Sequence, residues 1–156
     1  MSNQQKGDLI ATVMQAVAAF QDATDQIDET AATRLGLNRT DLRCLGILER
    51  AGAMTAGQLA ESVGLSPGAI TAAVDRLVRA GYAHRIRDVS DRRRVTIEPT
   101  PAAQTASEKI WGPLGVEAHR RLSRRTIEEL TIIHDFLVEG YQMQTRHAQR
   151  ITDLND

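Results

Sequence analysis

Seven arginines gather between Asp75 and Arg94: Arg76, Arg79, Arg85, Arg87, Arg92, Arg93 and Arg94, against Asp75, Asp88 and Asp91 alone. The stretch carries +4 in a chain whose formal net charge is −1. A basic excess confined to one segment is the footprint expected where phosphates are met. Just upstream, Gly68, Ala69, Thr71, Ala72 and Asp75 are small or short and fall on one side of a helical spacing. Such a face can approach another surface closely, as a helix entering a major groove must. The chemistry on offer is non-covalent: arginines for phosphates, and a low-relief helix face for base edges.

Other chemistries lack their residues. His84, His119, His134 and His147 do not pair at metal-ligand spacing, and the single Cys44 lies near none of them in sequence. No metal site and no cofactor are expected. There is no GxSxG, no glycine-rich phosphate loop after a strand, and no carboxylate pair set in apolar surroundings, so no enzyme is expected either. Cys44 sits between Leu42 and Leu45 with Arg43 as its only basic neighbour, which favours a structural thiol over a redox sensor.

The elements that must position these residues can be read in turn. Ser66 can cap free N–H groups, Pro67 suits the first helical position, and Gly81 can take the left-handed conformation that ends a helix. Between them Ile70, Val74, Leu77 and Val78 form an apolar stripe. Thr55 and Gln58 have capping-box spacing and open a shorter helix through Leu59, Ala60 and Val63, closed by Gly64. The pair makes a helix-turn-helix. Two alternating segments follow, 83–87 and 94–98, predicting a hairpin with Ile86, Val95 and Ile97 inward and Arg85, Arg87 and Arg94 outward. Its tip, 88–93, is polar and turn-like.

Long helices flank this unit. Leu9, Ile10, Val13, Val17, Phe20, Ala23, Ile27 and Ala31 recur at helical spacing with no Gly or Pro between them. Six acids against Lys6, Arg34 and Arg39 over residues 6–41 make a protein helix a better partner there than a phosphate. Asn38 with Asp41 starts a second helix carrying Leu42, Leu45, Ile47 and Leu48, stopped at Gly52. Pro101 starts a helix that Gly112 and Pro113 should kink, and Thr126 with Glu129 starts the last, through Ile127, Leu130, Ile133, Leu137 and Tyr141. The Arg120 to Arg125 run between them is read as a solvated helix end. The fold class is mostly α with a small β wing, of ordinary globular composition at 156 residues. No apolar run is long enough to cross a bilayer and no signal-peptide pattern opens the chain, so a cytoplasmic location is expected.

Leu65, Ser66, Pro67 and Gly68, then Asp75, Arg76 and Leu77, then Gly81 and Tyr82, then Asp91, Arg92 and Arg93 with Val95, Ile97 and Thr100, together resemble the MarR family of winged helix-turn-helix regulators. The resemblance is fairly specific over residues 35–100 and departs at Pro99, where the family usually has Leu. It implies a single domain over residues 1–156, with a DNA-binding lobe at 36–100 and dimerisation helices at 8–34 and 101–151. It further implies a homodimeric regulator, in most cases a repressor, binding an inverted-repeat operator in double-stranded DNA and released by a small effector held between the lobes.

On this reading the DNA-facing set is Ser66, Pro67, Gly68, Ala69, Thr71, Ala72, Asp75, Arg76, Arg87, Asp91, Arg92, Arg93 and Arg94, with Arg93 in the minor groove. Phe20, Trp111 and His119 are the candidate effector contacts, and no membrane partner is expected. The rival is a winged helix used only for protein interaction, which has no need of three arginines at an exposed tip. The arginines could also be a solvated edge that discourages strand pairing, but that leaves the helix-turn-helix before them unexplained.

Overall fold

The computed structural model describes residues 3–87 and 95–154. In order it contains α1 (Asn3–Leu35), α2 (Arg39–Ala51), β1 (Met54–Thr55), α3 (Ala56–Val63), α4 (Pro67–Arg79), β2 (Ala83–Arg87), β3 (Val95–Pro99), α5 (Pro101–Leu122) and α6 (Ile127–Thr152). The chain divides into a compact unit reaching to Ile110 and a second beginning at Trp111.

The helix starts follow local side-chain chemistry. Asn38 caps α2, accepting from the Asp41 N–H at 2.8 Å while the Asp41 carboxylate takes the Asn38 N–H at 3.3 Å. Thr55 with Gln58 and Thr126 with Glu129 repeat this reciprocal arrangement at α3 and α6. Each box satisfies two otherwise orphaned helix-end donors. The end of α4 is equally local: Gly81 N–H donates to the Val78 carbonyl and Tyr82 N–H to that of Leu77, with Gly81 at φ +78°. This is the paired closure that a left-handed glycine permits.

The first unit is built on one core. Cys44, Leu45 and Leu48 from α2, Leu59, Ala60 and Val63 from α3, and Ile70, Ala73, Val74 and Leu77 from α4 close against Ala83, Ile97 and Ala103. Each buried Leu or Ile contributes about 1.5–3 kcal/mol relative to exposure. The α4 stripe is rotated from its sequence reading. Ala73 is fully buried, whereas Val78, expected on the apolar face, is more than a third exposed.

The sheet differs more. Three antiparallel strands lie in the order β1-β3-β2, so the short β1, which the sequence did not announce, makes β3 central. The register pairs Arg85 with Ile97, Arg87 with Val95 and Ile86 with Thr96. Directly opposed residues share a face. Arg85 and Arg87 therefore stand on the side of Ile97 and Val95, and Ile86 on the other, where it is exposed. The expected division into inward aliphatics and outward arginines does not hold. Pro99 stands opposite Ala83 at the end of the ladder, beyond the two residues paired with β1, so its missing N–H removes no bond from the centre of the sheet.

α5 runs from Pro101 to Leu122 with Gly112 and Pro113 inside it. Among the described residues α1 buries only Ala31 and Ala32, and α6 buries none. Their stripes stay in solvent in the single chain: Leu9, Ile10, Val13 and Phe20 on α1, and Ile133, Phe136, Leu137 and Tyr141 on α6. No described helix is long and apolar enough to cross a membrane.

Candidate nucleic-acid interface

The outward face of α4 is assembled by a turn and held by two ion pairs. Gly64 closes α3 in the left-handed region at φ +73°, its N–H on the Ala60 carbonyl at 2.8 Å, and the Leu65 N–H reaches the same carbonyl at 3.0 Å. α3 and α4 are thus separated by only three residues, and Ser66 caps α4 through the Ala69 N–H at 3.3 Å. Pro67 then occupies the first turn, where its missing N–H costs nothing.

With Ile70, Ala73, Val74 and Leu77 buried, Gly68, Ala69, Thr71, Ala72 and Asp75 are all exposed along one side, as the sequence spacing predicts. No long side chain interrupts that strip. The Thr71 hydroxyl donates to the Pro67 carbonyl at 2.8 Å, which leaves its oxygen to accept from a donor on a partner.

Two members of the predicted DNA-facing set are engaged within the protein. Asp75 accepts from Arg85 at 2.7 Å, joining α4 to β2 with both side chains partly exposed. Arg76 reaches α2: its Nε donates to Asp41 Oδ2 and its Nη2 to Asp41 Oδ1, both at 2.8 Å. Asp41 is wholly buried while the Arg76 side chain keeps 40% of its exposure. These bonds raise the Arg76 guanidinium above its ordinary value. Arg87 is exposed at the end of β2. Asp91, Arg92, Arg93 and Arg94 lie outside the described residues. Thr100, read with the wing motif, donates from its hydroxyl to the Gly81 carbonyl at 2.7 Å and caps the start of α5 through Ala103 N–H, fastening the end of β3 to the end of α4.

Cys44 is fully buried, and burial first, then the nearby Asp41, pushes its thiol up from the ordinary value. A raised pKa and no solvent access make an inert structural thiol. Of the effector candidates, Phe20 is exposed on α1 in the first unit, while Trp111, half-buried, and His119, exposed, belong to the second. A cleft of about 300 Å³ in the first unit is lined by Gln26, Ile27, Thr30, Ala31, Arg34 and Ile110, and includes none of the three.

Sequence spacing did not reveal Asp41 as the partner of Arg76. Its place three residues after Asn38 identifies a cap and says nothing of a contact 35 residues away.

A helix-turn-helix followed by an antiparallel wing defines the winged-helix class of proteins. The MarR family model matches residues 37–95. The chain is 36% identical over 146 residues to the HTH-type transcriptional regulator YcgE of Bacillus subtilis, covering 94% of this chain and 95% of that protein. It is 25% identical over 114 residues to the multiple antibiotic resistance protein MarR of Salmonella typhimurium, 72% of this chain and 79% of that one. A MarR family protein from Bacillus stearothermophilus shares the fold with a TM-score of 0.66 and 21% identity, over 93% of this chain and 99% of that chain. This chain belongs to the MarR family, whose members are DNA-binding transcription regulators and not enzymes.

Proposed function

We propose that the chain acts in the cytoplasm as a homodimeric repressor that reads an inverted-repeat operator with one α4 per half-site and lets go when a small effector changes the spacing of the two helices. The observation that carries the reading is the exposed strip of Gly68, Ala69, Thr71, Ala72 and Asp75 on a helix whose opposite side is wholly committed to the core. The buried stripe of Ile70, Ala73, Val74 and Leu77 already accounts for the packing of α4, so the low-relief face opposite is free to approach a groove closely. The dimer is supported by the apolar stripes of α1 and α6, which a single chain leaves in water. Arg87, Arg92, Arg93 and Arg94 supply the phosphate and minor-groove contacts, and Ser66, Pro67 and the α4 N-terminus a backbone anchor. Phe20, Trp111 and His119 remain the effector candidates.

Salt tests this reading. A dimer neutralising roughly 6–10 phosphates loses ~10³–10⁵-fold in affinity between 50 and 200 mM salt. Fluorescence anisotropy on a labelled duplex at several salt concentrations measures the slope. A flat response would remove the phosphate contacts and favour a winged helix that serves only protein partners.

A further inference from the structure

We infer that Arg76 is a positioning residue rather than a DNA ligand: with the buried Asp41 it locks the recognition helix onto the start of α2, setting the angle at which α4 meets a groove. This rests on α4 being the helix that reads DNA.

The geometry is that of a built joint. A planar guanidinium fork meets a carboxylate through two parallel bonds of 2.8 Å, which fixes orientation as well as distance. The carboxylate is spent: Oδ1 takes Arg76 Nη2, and Oδ2 takes both Arg76 Nε and the Asn38 N–H. The Asp41 N–H is held in turn by Asn38 Oδ1 at 2.8 Å. One residue thereby caps α2 and grips α4.

Asp41 is wholly buried, so its charge is desolvated and depends on Arg76 for compensation. That separates this pair from Asp25 with Arg39, which links α1 to α2 with both side chains about half exposed or more and so contributes little. The joint also lies on the right part of α4. Arg76 is one residue beyond Asp75, at the C-terminal end of the exposed strip, and its tie to Asp41 reaches across to α2. Losing the Arg76 tie removes the charged link between α4 and α2 while Leu77, the Asp75 to Arg85 pair and the Thr100 bond to Gly81 still hold α4 on the core, which shifts the angle of the strip without removing any residue from it. Base contacts depend on that alignment, whereas non-specific binding depends on the charge carried past the phosphates.

The test uses the full chain, with a duplex selected by the wild-type protein from a random library and a random-sequence duplex as probes. Asp41→Asn keeps the shape and the capping acceptor and removes the charge pairing. Arg76→Gln removes the fork. The double variant asks whether the two act as one.

Expected is a loss on the selected duplex of ~10–100-fold, the equivalent of one mismatched base pair. Expected alongside it are random-sequence affinity within about threefold of wild type, an unchanged salt slope, and a double variant no worse than the poorer single. Amide exchange in α4 should quicken in each variant, so that a joint loosened in the free protein is seen directly. If Arg76→Gln does not fold, Asp41→Asn carries the test alone.

Two results overturn the inference. One is a salt slope reduced by about one in Arg76→Gln while Asp41→Asn binds at least as tightly as wild type, which makes Arg76 a phosphate ligand. The other is wild-type affinity in both. Ala72→Glu serves as the control for the underlying reading. Retained binding there would mean that α4 does not enter DNA, whereas lost binding beside an unaffected Asp41→Asn would sink the positioning role alone.

Discussion

Ala72→Glu reduces binding to a selected duplex by ~10³-fold or more while leaving the fold intact. Ala72 is in the middle of the exposed strip, with Gly68 and Ala69 before it and Asp75 one turn on. A glutamate there extends a carboxylate into the space that base edges and phosphates would occupy, three residues from an acid already present. Like charges brought together at an interface cost several kcal/mol, and every 1.4 kcal/mol is tenfold. The free protein does not share the cost. The position is exposed and glutamate is a good helix former, so stability should move by no more than about 0.5 kcal/mol. Thermal melts followed by circular dichroism, beside titrations against selected and random duplexes, separate the two effects. Binding within tenfold of wild type would place α4 away from the groove.

The second large effect concerns assembly. Ile133 and Leu137 stand one turn apart on α6 and are exposed in the single chain. Substituting both by glutamate places two carboxylates on each protomer in a face that the dimer would close, where an unpaired charge is expensive. A two-fold doubles the number to four. The variant should sediment as a monomer at micromolar concentration and lose at least about 100-fold in affinity for a two-half-site duplex, since the second half-site contact is then no longer intramolecular. The first unit, with its own core of α2, α3 and α4, should keep its helical spectrum. A variant that stays dimeric and binds normally would move the dimer contact elsewhere.

What could be read from the sequence was whatever is settled within a few residues. Asn38 with Asp41, Thr55 with Gln58, Ser66 with Pro67, and Thr126 with Glu129 announce their helices because a cap is a bond between neighbours. Gly64 and Gly81 mark helix ends for the same reason. Strand register was not legible. Arg85 and Ile86 alternate correctly, but alternation does not say which of the two faces turns to the core, and the partner assigned by register is ten or more residues away. β1 is two residues long and is a strand only because β3 accepts it. In the α4 stripe the fold buries Ala73 and leaves Val78 more than a third exposed, because helical spacing fixes the buried side only to within a residue and residue size does not say which small side chain lies against the core.

The site shows the same division. The exposed small strip follows from helical periodicity and was read correctly in outline, whereas the commitments of Asp75 to Arg85 and of Arg76 to Asp41 required the fold. A basic residue beside a recognition helix reads as a phosphate ligand until its partner is seen. The local charge count therefore overstates what is free for DNA by one: the +4 already sets Asp75, the partner of Arg85, against an arginine, whereas Arg76 neutralises Asp41, which lies outside the segment.

Hydroxyl-radical footprinting on the selected duplex shows whether two copies of α4 related by a two-fold read duplex DNA. Two protected patches related by a dyad, with half-site centres roughly 10–10.5 bp apart or a multiple of it, are predicted, and both should vanish together in Ala72→Glu. A single asymmetric patch, or protection that shows no preference for sequence, would contradict the account.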